Sequence, residues 1–369
     1  MDINNHERAI LVGVKLKGED EFNFESSFDE LRGLTEAAGG EVIATLIQAK
    51  DRPHSSTYIG RGKLEELTHL AEELEPDLII FDSELSPVQL RNLEQAAGIK
   101  IIDRTMLILD IFSQRARSKE GILQVELASL EYRLPRLTGQ GAEMSRIGGG
   151  IGARGAGEQK LELDRRYIRK RIQDIKKQMG KMEKTRLLHR KHRQRAGLKV
   201  ISLAGYTNAG KSTLFNALCS KAHRKGTGQV EADERLFQTL DTTTRKIVLP
   251  SGTQILMTDT VGFIQNLPHH LVAAFRSTLE EAIDADILLH VVDVSDPDYL
   301  DKIDLVEKVL QDLGADQSKI IRVFNKADLL DLIPTSNNAG CFISAKTGSG
   351  LSTLLSIIND KLFNLAHNF

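Results

Sequence analysis

Gly205-Tyr206-Thr207-Asn208-Ala209-Gly210-Lys211-Ser212 combines the residue types needed to hold a chain of phosphates. Glycines let backbone N–H groups wrap the oxygens, a lysine neutralises the outer phosphates, and a serine hydroxyl can ligate Mg2+. Three later stretches indicate which nucleotide. Asp259-Thr260-Val261-Gly262 offers a carboxylate to position Mg2+ and a glycine N–H to sense a γ-phosphate. Asn325-Lys326-Ala327-Asp328 offers a carboxylate that can accept from guanine N1–H and N2–H, donors that adenine lacks. Leaving that carboxylate unpaired would reject the wrong base by on the order of 10⁴. Ser344-Ala345-Lys346 should back the other side of the base. The combination predicts GTP and GDP as ligands and GTP hydrolysis as the reaction, with Lys211, Gly262 and Asn208 nearest the chemistry.

Each motif needs a strand to aim it. "KVISLAG" leads into the first and "STLFNAL" reads as the helix that follows it. The apolar runs "QILM", "IIRVF" and "CFI" precede the other three. Strand, turn and helix in this order predict a C-terminal Ras-like P-loop G domain over residues 197–369.

The Mg2+-sensing threonine of the first switch should lie in "LFQTLDTTTR", where Thr239, Thr242, Thr243 and Thr244 all qualify by spacing. The low hydrophobicity of that stretch suits a loop that orders around a γ-phosphate. Where Ras-like enzymes place a glutamine to orient the attacking water, this chain has Phe263, which neither donates nor accepts. Basal hydrolysis should therefore be slow, with help from elsewhere. Asn208 could hold K+ against the phosphates, or could simply brace the loop.

Residues 1–112 alternate short Ile/Val/Leu-rich runs, "AILVGVKL", "EVIATLIQ", "DLIIFD" and "IKIID", with helical stretches at 28–38, 62–74 and 87–97. That alternation predicts a small parallel α/β domain. Ser86 before Pro87 reads as a cap with proline at the first helical position. Residues 113–196 differ. Leu123, Leu127, Leu130, Leu134 and Leu137 form one helical stripe, which Pro135 should kink or end. Leu161, Ile168, Ile175 and Met182 form a second, with Ile172 and Met179 beside it. Two stripes joined by one connection predict an antiparallel helical hairpin.

Within that connection, Gly150-Ile-Gly152-Ala-Arg-Gly155 matches the dinucleotide fingerprint G-x-G-x-x-G. The fingerprint works only between a strand and a helix. Here helix lies on both sides, so the glycines mark the hairpin tip instead. From Arg115 to Arg195 there are 22 Lys/Arg against 9 Asp/Glu, in a chain whose net charge is -2. Such a block suits either a solvated helical face or a polyanionic partner. Arg146, Arg154, Lys160, Arg165, Arg166, Arg169 and Lys170 are the candidates for contacting RNA.

Composition sets the outer limits. The 369 residues exceed one ordinary core, and 41% hydrophobic with 27% charged residues is typical of a soluble globular protein. Cys219 and Cys341 are too few for a disulfide framework or a cysteine-rich zinc site. The start "MDINNHERAI" lacks the regions of a secretory signal, and runs such as Ile287 to Val292 are too short to span a bilayer. A cytoplasmic protein, a monomer when free, is expected.

The chain resembles the HflX family of ribosome-associated GTPases over nearly its whole length. "YIGRGK", "GGGIGARGAGE", "GYTNAGKSTLFN", "LFQTLD", "DTVGFI", "NKAD" and "SAK" carry the resemblance. It implies binding to the large ribosomal subunit and its rRNA, a hairpin tip near the peptidyl-transferase region, and the splitting of stalled ribosomes. The family pattern also implies a switch Mg2+ ligand at Thr239 within Phe237-Gln238-Thr239-Leu240-Asp241, a segment that would contact the nucleotide. Gln238 and Thr242 stand where that pattern carries a small residue and a proline. An alternative from another class is a GTP-gated RNA-binding factor of ribosome assembly or storage that does not split ribosomes.

Overall fold

A computed structural model describes residues 6–18, 20–137, 156–222, 242–265, 283–332 and 340–367. The chain divides into two compact units, one of residues 1–114 and 122–180, the other of 115–121 and 181–369.

The first unit begins with β1 (Glu7–Leu16), α1 (Glu21–Ala37), β2 (Gly40–Lys50), α2 (Arg61–Leu74), β3 (Leu78–Phe81), α3 (Pro87–Ala97), β4 (Lys100–Asp103) and α4 (Arg104–Arg115). Its four strands form a parallel sheet in the order β2-β1-β3-β4, as the strand–helix alternation requires. Ile10, Val12, Val14, Ile79, Phe81 and Ile101 pack with Leu67 and Ala71 of α2 and Leu93 of α3. Alternation turns Leu11, Ile80 and Ile102, also buried, to the opposite face. Ser86 caps α3 as expected: its Oγ accepts from the Gln89 N–H at 3.3 Å and the Gln89 side chain accepts from Ser86 N–H at 2.9 Å. α1 begins at Glu21, about two turns earlier than its sequence suggests. Phe24, buried like Phe28 one turn later, extends the apolar stripe back into a segment in which Asn23, Glu25, Ser26 and Ser27 are polar.

At the carboxyl ends of β3 and β4 the chain buries charge. Arg104 pairs with Asp82 at 2.6 Å and with Glu30, and it also donates to Ser27. Each charge has a partner, which is the condition for tolerating it there. Beside this group Asp103 accepts from Leu85 N–H, Met106 N–H and the Tyr132 hydroxyl. Burial nonetheless pushes the Asp103 carboxyl above its usual range. Tyr132 belongs to α5 (Lys119–Arg136), so this carboxylate ties the first hairpin helix to the sheet.

α5 contains Pro135 in its last turn, and α6 (Ala156–Arg195) follows the hairpin connection with 40 residues. Leu123 and Leu127 of α5 and Ile168, Ile172 and Ile175 of α6 are buried. Glu126–Arg171 and Glu131–Lys176 ion pairs join the two helices in the first unit. Helix flanks the fingerprint-like glycines on both sides, while 138–155 lie outside the described residues.

The second unit contains β5 (Lys199–Gly205), α7 (Lys211–Ala222), β6 (Thr243–Val248), β7 (Gln254–Asp259), β8 (Ile287–Asp293), α8 (Tyr299–Asp312), β9 (Ile320–Asn325), β10 (Cys341–Phe342) and α9 (Leu351–His367). Its six-stranded sheet has the order β10-β9-β8-β5-β7-β6, parallel except for β6 against β7. β5, β8 and β9 lie inside the sheet and are mostly apolar and buried, as suits strands covered on both faces. No described helix is long and apolar enough to cross a membrane.

Candidate nucleotide site

The carboxyl ends of β5, β7, β9 and β10 deliver all four motifs to one edge of the second sheet, where open α/β folds bind ligands. Gly205 closes β5 at φ 151°, and a Cβ there would lie 2.2 Å from the Val291 carbonyl oxygen of β8. Only glycine lets the phosphate loop leave the sheet that close to its neighbour. Lys211 opens α7 and folds back, donating to the carbonyls of Gly205 at 3.1 Å and Tyr206 at 2.7 Å. Burial lowers its pKa to about 8, against an opposing pull from Asp259. A buried ammonium held by neutral carbonyls is poised for the stronger charge of phosphate oxygens. Ser212 Oγ donates to Asp259 Oδ2 at 2.7 Å, which brings the hydroxyl of the first motif to the carboxylate of the second.

The Asp259–Gly262 turn is pressed against the phosphate loop. Thr260 Oγ1 donates to the Leu203 carbonyl at 2.6 Å and Val261 is buried, so both act in packing this turn. A Cβ at Gly262 would stand 2.8 Å from Lys211 Nζ and 2.9 Å from Thr207 Cα. Phe263 then pairs with the phosphate loop: Thr207 N–H donates to its carbonyl at 2.7 Å and its N–H donates to Gly205 O at 3.1 Å. Its ring is 3% exposed and packs with Ala204, Leu288, Val306 and Leu310. The side chain at the water-positioning place therefore points into the core. Asn208 is exposed and holds φ 59°, a left-handed conformation that asparagine tolerates.

In the third motif, Asn325 is a buried brace. Its Nδ2 donates to the Ala209 carbonyl and its Oδ1 accepts from Ala345 N–H, each at 2.9 Å. One amide thus joins the phosphate loop to the Ser344–Lys346 turn. Lys326 pairs with Asp293 at 2.6 Å, and Ala327 N–H donates to Ile343 O at 3.0 Å. These contacts leave Asp328 exposed beside them. Ser344 and Ala345 are buried, Ser344 Oγ accepts from Thr347 N–H at 3.1 Å, and Lys346 is exposed.

The remaining candidates are distributed differently. Thr243 and Thr244 belong to β6, opposite Asp259 and Thr258, so the end of the expected switch loop is strand. β-Branched residues paired on a sheet explain this. Phe237, Gln238, Thr239, Leu240, Asp241, Arg146 and Arg154 lie outside the described residues, and Lys160 lies in the first turns of α6. Arg165 is half-buried, while Arg166, Arg169 and Lys170 are exposed. The spacing of motifs carried no sign of three connections: the Asn325 brace, the Phe263 bridge and the bond from Gln265 N–H to the Tyr206 hydroxyl.

Three family models match the chain in succession. They are GTP-binding GTPase N-terminal over residues 25–113, GTP-binding GTPase middle region over 115–193, and 50S ribosome-binding GTPase over 200–326. GTPase HflX of Caldanaerobacter subterraneus subsp. tengcongensis is 53% identical over 357 residues, covering 97% of this chain and 81% of that protein. GTPase HflX of Escherichia coli K12 is 39% identical over 363 residues, covering 96% and 83%. Among solved structures, a crystal structure of SsGBP in complex with GDP aligns with a TM-score of 0.52 at 25% identity, covering 98% of this chain and 99% of that one.

Proposed function

The chain belongs to the HflX family of GTPases, and from that premise we propose that it binds the large ribosomal subunit and, under control of GTP, splits or rescues stalled ribosomes. The reading has three parts: an α/β domain of residues 1–112, a basic hairpin of 113–196 that contacts rRNA, and the G domain of 197–369 that controls it. The observation that carries it is the charge of the hairpin, 22 Lys/Arg against 9 Asp/Glu from Arg115 to Arg195. Phosphate-rich RNA is the partner that such a surface attracts. The family description of the G domain as 50S ribosome-binding supports the same partner.

In the G domain, Lys211 would move from its two carbonyls to the outer phosphates, and the Gly262 N–H would meet the γ-phosphate. Asp328 would accept from the guanine edge, with Ser344, Ala345 and Lys346 behind the base. The Ser212 hydroxyl beside the Asp259 carboxylate is an all-oxygen donor pair of the kind that suits Mg2+. Ser212 and Thr239 would hold that ion and Asp259 would position it, and when bound it would neutralise charge on the phosphates. Asn208, exposed on the phosphate loop, is the residue placed to hold K+. With Phe263 turned into the core, no side chain at that position orients the water, so turnover should be slow until ribosomes supply the missing arrangement.

Sucrose-gradient profiles of intact ribosomes mixed with the protein and a non-hydrolysable GTP analogue test this reading. Release of separated subunits is expected. Co-migration without release would favour an assembly or storage factor, and failure to associate at all would overturn ribosome binding.

A further inference from the structure

α6 exposes an aromatic ring among cations. Tyr167 is 71% exposed and Leu163, one turn earlier on the same flank, is 64% exposed. The buried Ile168, Ile172 and Ile175 point elsewhere on the helix, so Tyr167 and Leu163 take no part in that packing. Arg166, Lys170 and Arg171 lie within one turn of the ring. Arg171 is committed to Glu126 through two bonds of 2.6 Å, and Arg166 pairs with Glu162 at 3.1 Å. Lys170 is exposed and makes no ion pair with a described residue.

The cations need an anionic partner and the ring needs a flat apolar one. An acidic peptide answers the first need only. A nucleic acid answers both, because phosphates meet the cations while a base stacks on the ring. A duplex keeps its bases in its own stack and presents mainly phosphates and sugars, so the base concerned must be unpaired.

We propose that Tyr167 is a stacking platform for an unpaired RNA base, with Leu163 flanking that base and Lys170 and Arg166 holding the adjoining phosphates. The proposal rests on the reading of the hairpin as an RNA-binding arm.

The test uses the full-length protein and two probes of matched charge, a labelled single-stranded oligoadenylate and inorganic polyphosphate, which has no bases. Tyr167→Ala should weaken oligoadenylate binding about tenfold, the loss of one base–aromatic stack. Polyphosphate binding and GTP affinity should be unchanged, and Tyr167→Phe should match the wild type on both probes. Wild-type oligoadenylate affinity in Tyr167→Ala would overturn the platform, as would an equal loss on polyphosphate. If the wild type binds neither probe, the RNA-arm reading fails and the platform with it. If it binds both and the alanine variant is silent, the platform alone fails.

Discussion

The Tyr206 hydroxyl, on the phosphate loop, accepts a hydrogen bond from the backbone N–H of Gln265 at 2.8 Å. With the two backbone bonds of Phe263, it fastens the segment after Gly262 to the loop that would hold the phosphates. Lys302 Nζ stands 5.1 Å from the Tyr206 ring centroid and helps to seat it. Any displacement of Gly262 by a γ-phosphate must therefore work against Tyr206.

Tyr206→Phe keeps the ring and removes the hydroxyl. A single hydrogen bond is worth about 0.5–1.5 kcal/mol, so turnover should change by about two- to tenfold. We expect kcat to rise, because displacement of Gly262 no longer works against that bond, with KM for GTP and affinity for GDP nearly unchanged, because the backbone of the loop is untouched. Phosphate-release assays with and without ribosomes, beside a GDP titration, check this. A fall in kcat with an equal loss of GDP binding would mean that the hydroxyl only supports the fold.

Phe263→Gln should not restore fast hydrolysis. The ring lies among Ala204, Leu288, Val306 and Leu310, so the new amide would be buried without designed partners. That costs about 1–3 kcal/mol of stability. Thermal unfolding should shift down while basal turnover stays low. Faster turnover at unchanged stability would show that a side chain at 263 reaches the phosphates after all.

Glu307 carries a pH signature. His290 Nδ1 at 3.6 Å and the Arg322 guanidinium at 2.7 and 2.9 Å hold its carboxyl down to about 2. An unfolded glutamate titrates near about 4.3. A carboxyl with a depressed folded value contributes stability that is present above the unfolded value and lost as pH falls through the folded one. The stability gap between wild type and Glu307→Gln should thus be constant above about pH 5 and shrink from about pH 4.5 towards about pH 2. Calorimetry at several pH values measures it, and a gap that widened on acidification would refute the assignment.

The four nucleotide motifs were legible because each depends on a local event, an apolar strand ending in a turn. Likewise Ser86 and Pro87 mark the start of α3 locally, so that its first turn could be read. β6 was not legible, since four residues of Thr243–Val248 are polar and it becomes a strand only by pairing with Gln254–Asp259. The start of α1 was hidden for a similar reason, as Phe24 is apolar among polar neighbours and gains meaning from the sheet beneath. The tie from Asp103 to Tyr132 spans separate elements, and no spacing rule encodes it. The double role of Asn325, whose two amide atoms serve two different loops, is equally a matter of tertiary contact.

Asp328 and Asn325 share one motif and should fail in different ways. Asp328 is exposed and Asn325 is buried. Asp328→Asn keeps size and position but replaces an acceptor oxygen with a donor facing the base edge. It should weaken GTP strongly, admit xanthosine triphosphate, and leave unfolding unchanged, since the residue is exposed. Asn325→Ala removes the bond to Ala209 O and the bond from Ala345 N–H together. Two buried backbone groups then lose their partner, at about 1–3 kcal/mol each. That variant should unfold at lower temperature and lose GTP and xanthosine triphosphate alike, because the phosphate loop and the base-backing turn are no longer joined. Direct titration of both nucleotides into both variants, paired with thermal unfolding, separates the two roles. A switch in base preference by Asn325→Ala, at wild-type stability, would place base reading on Asn325 instead.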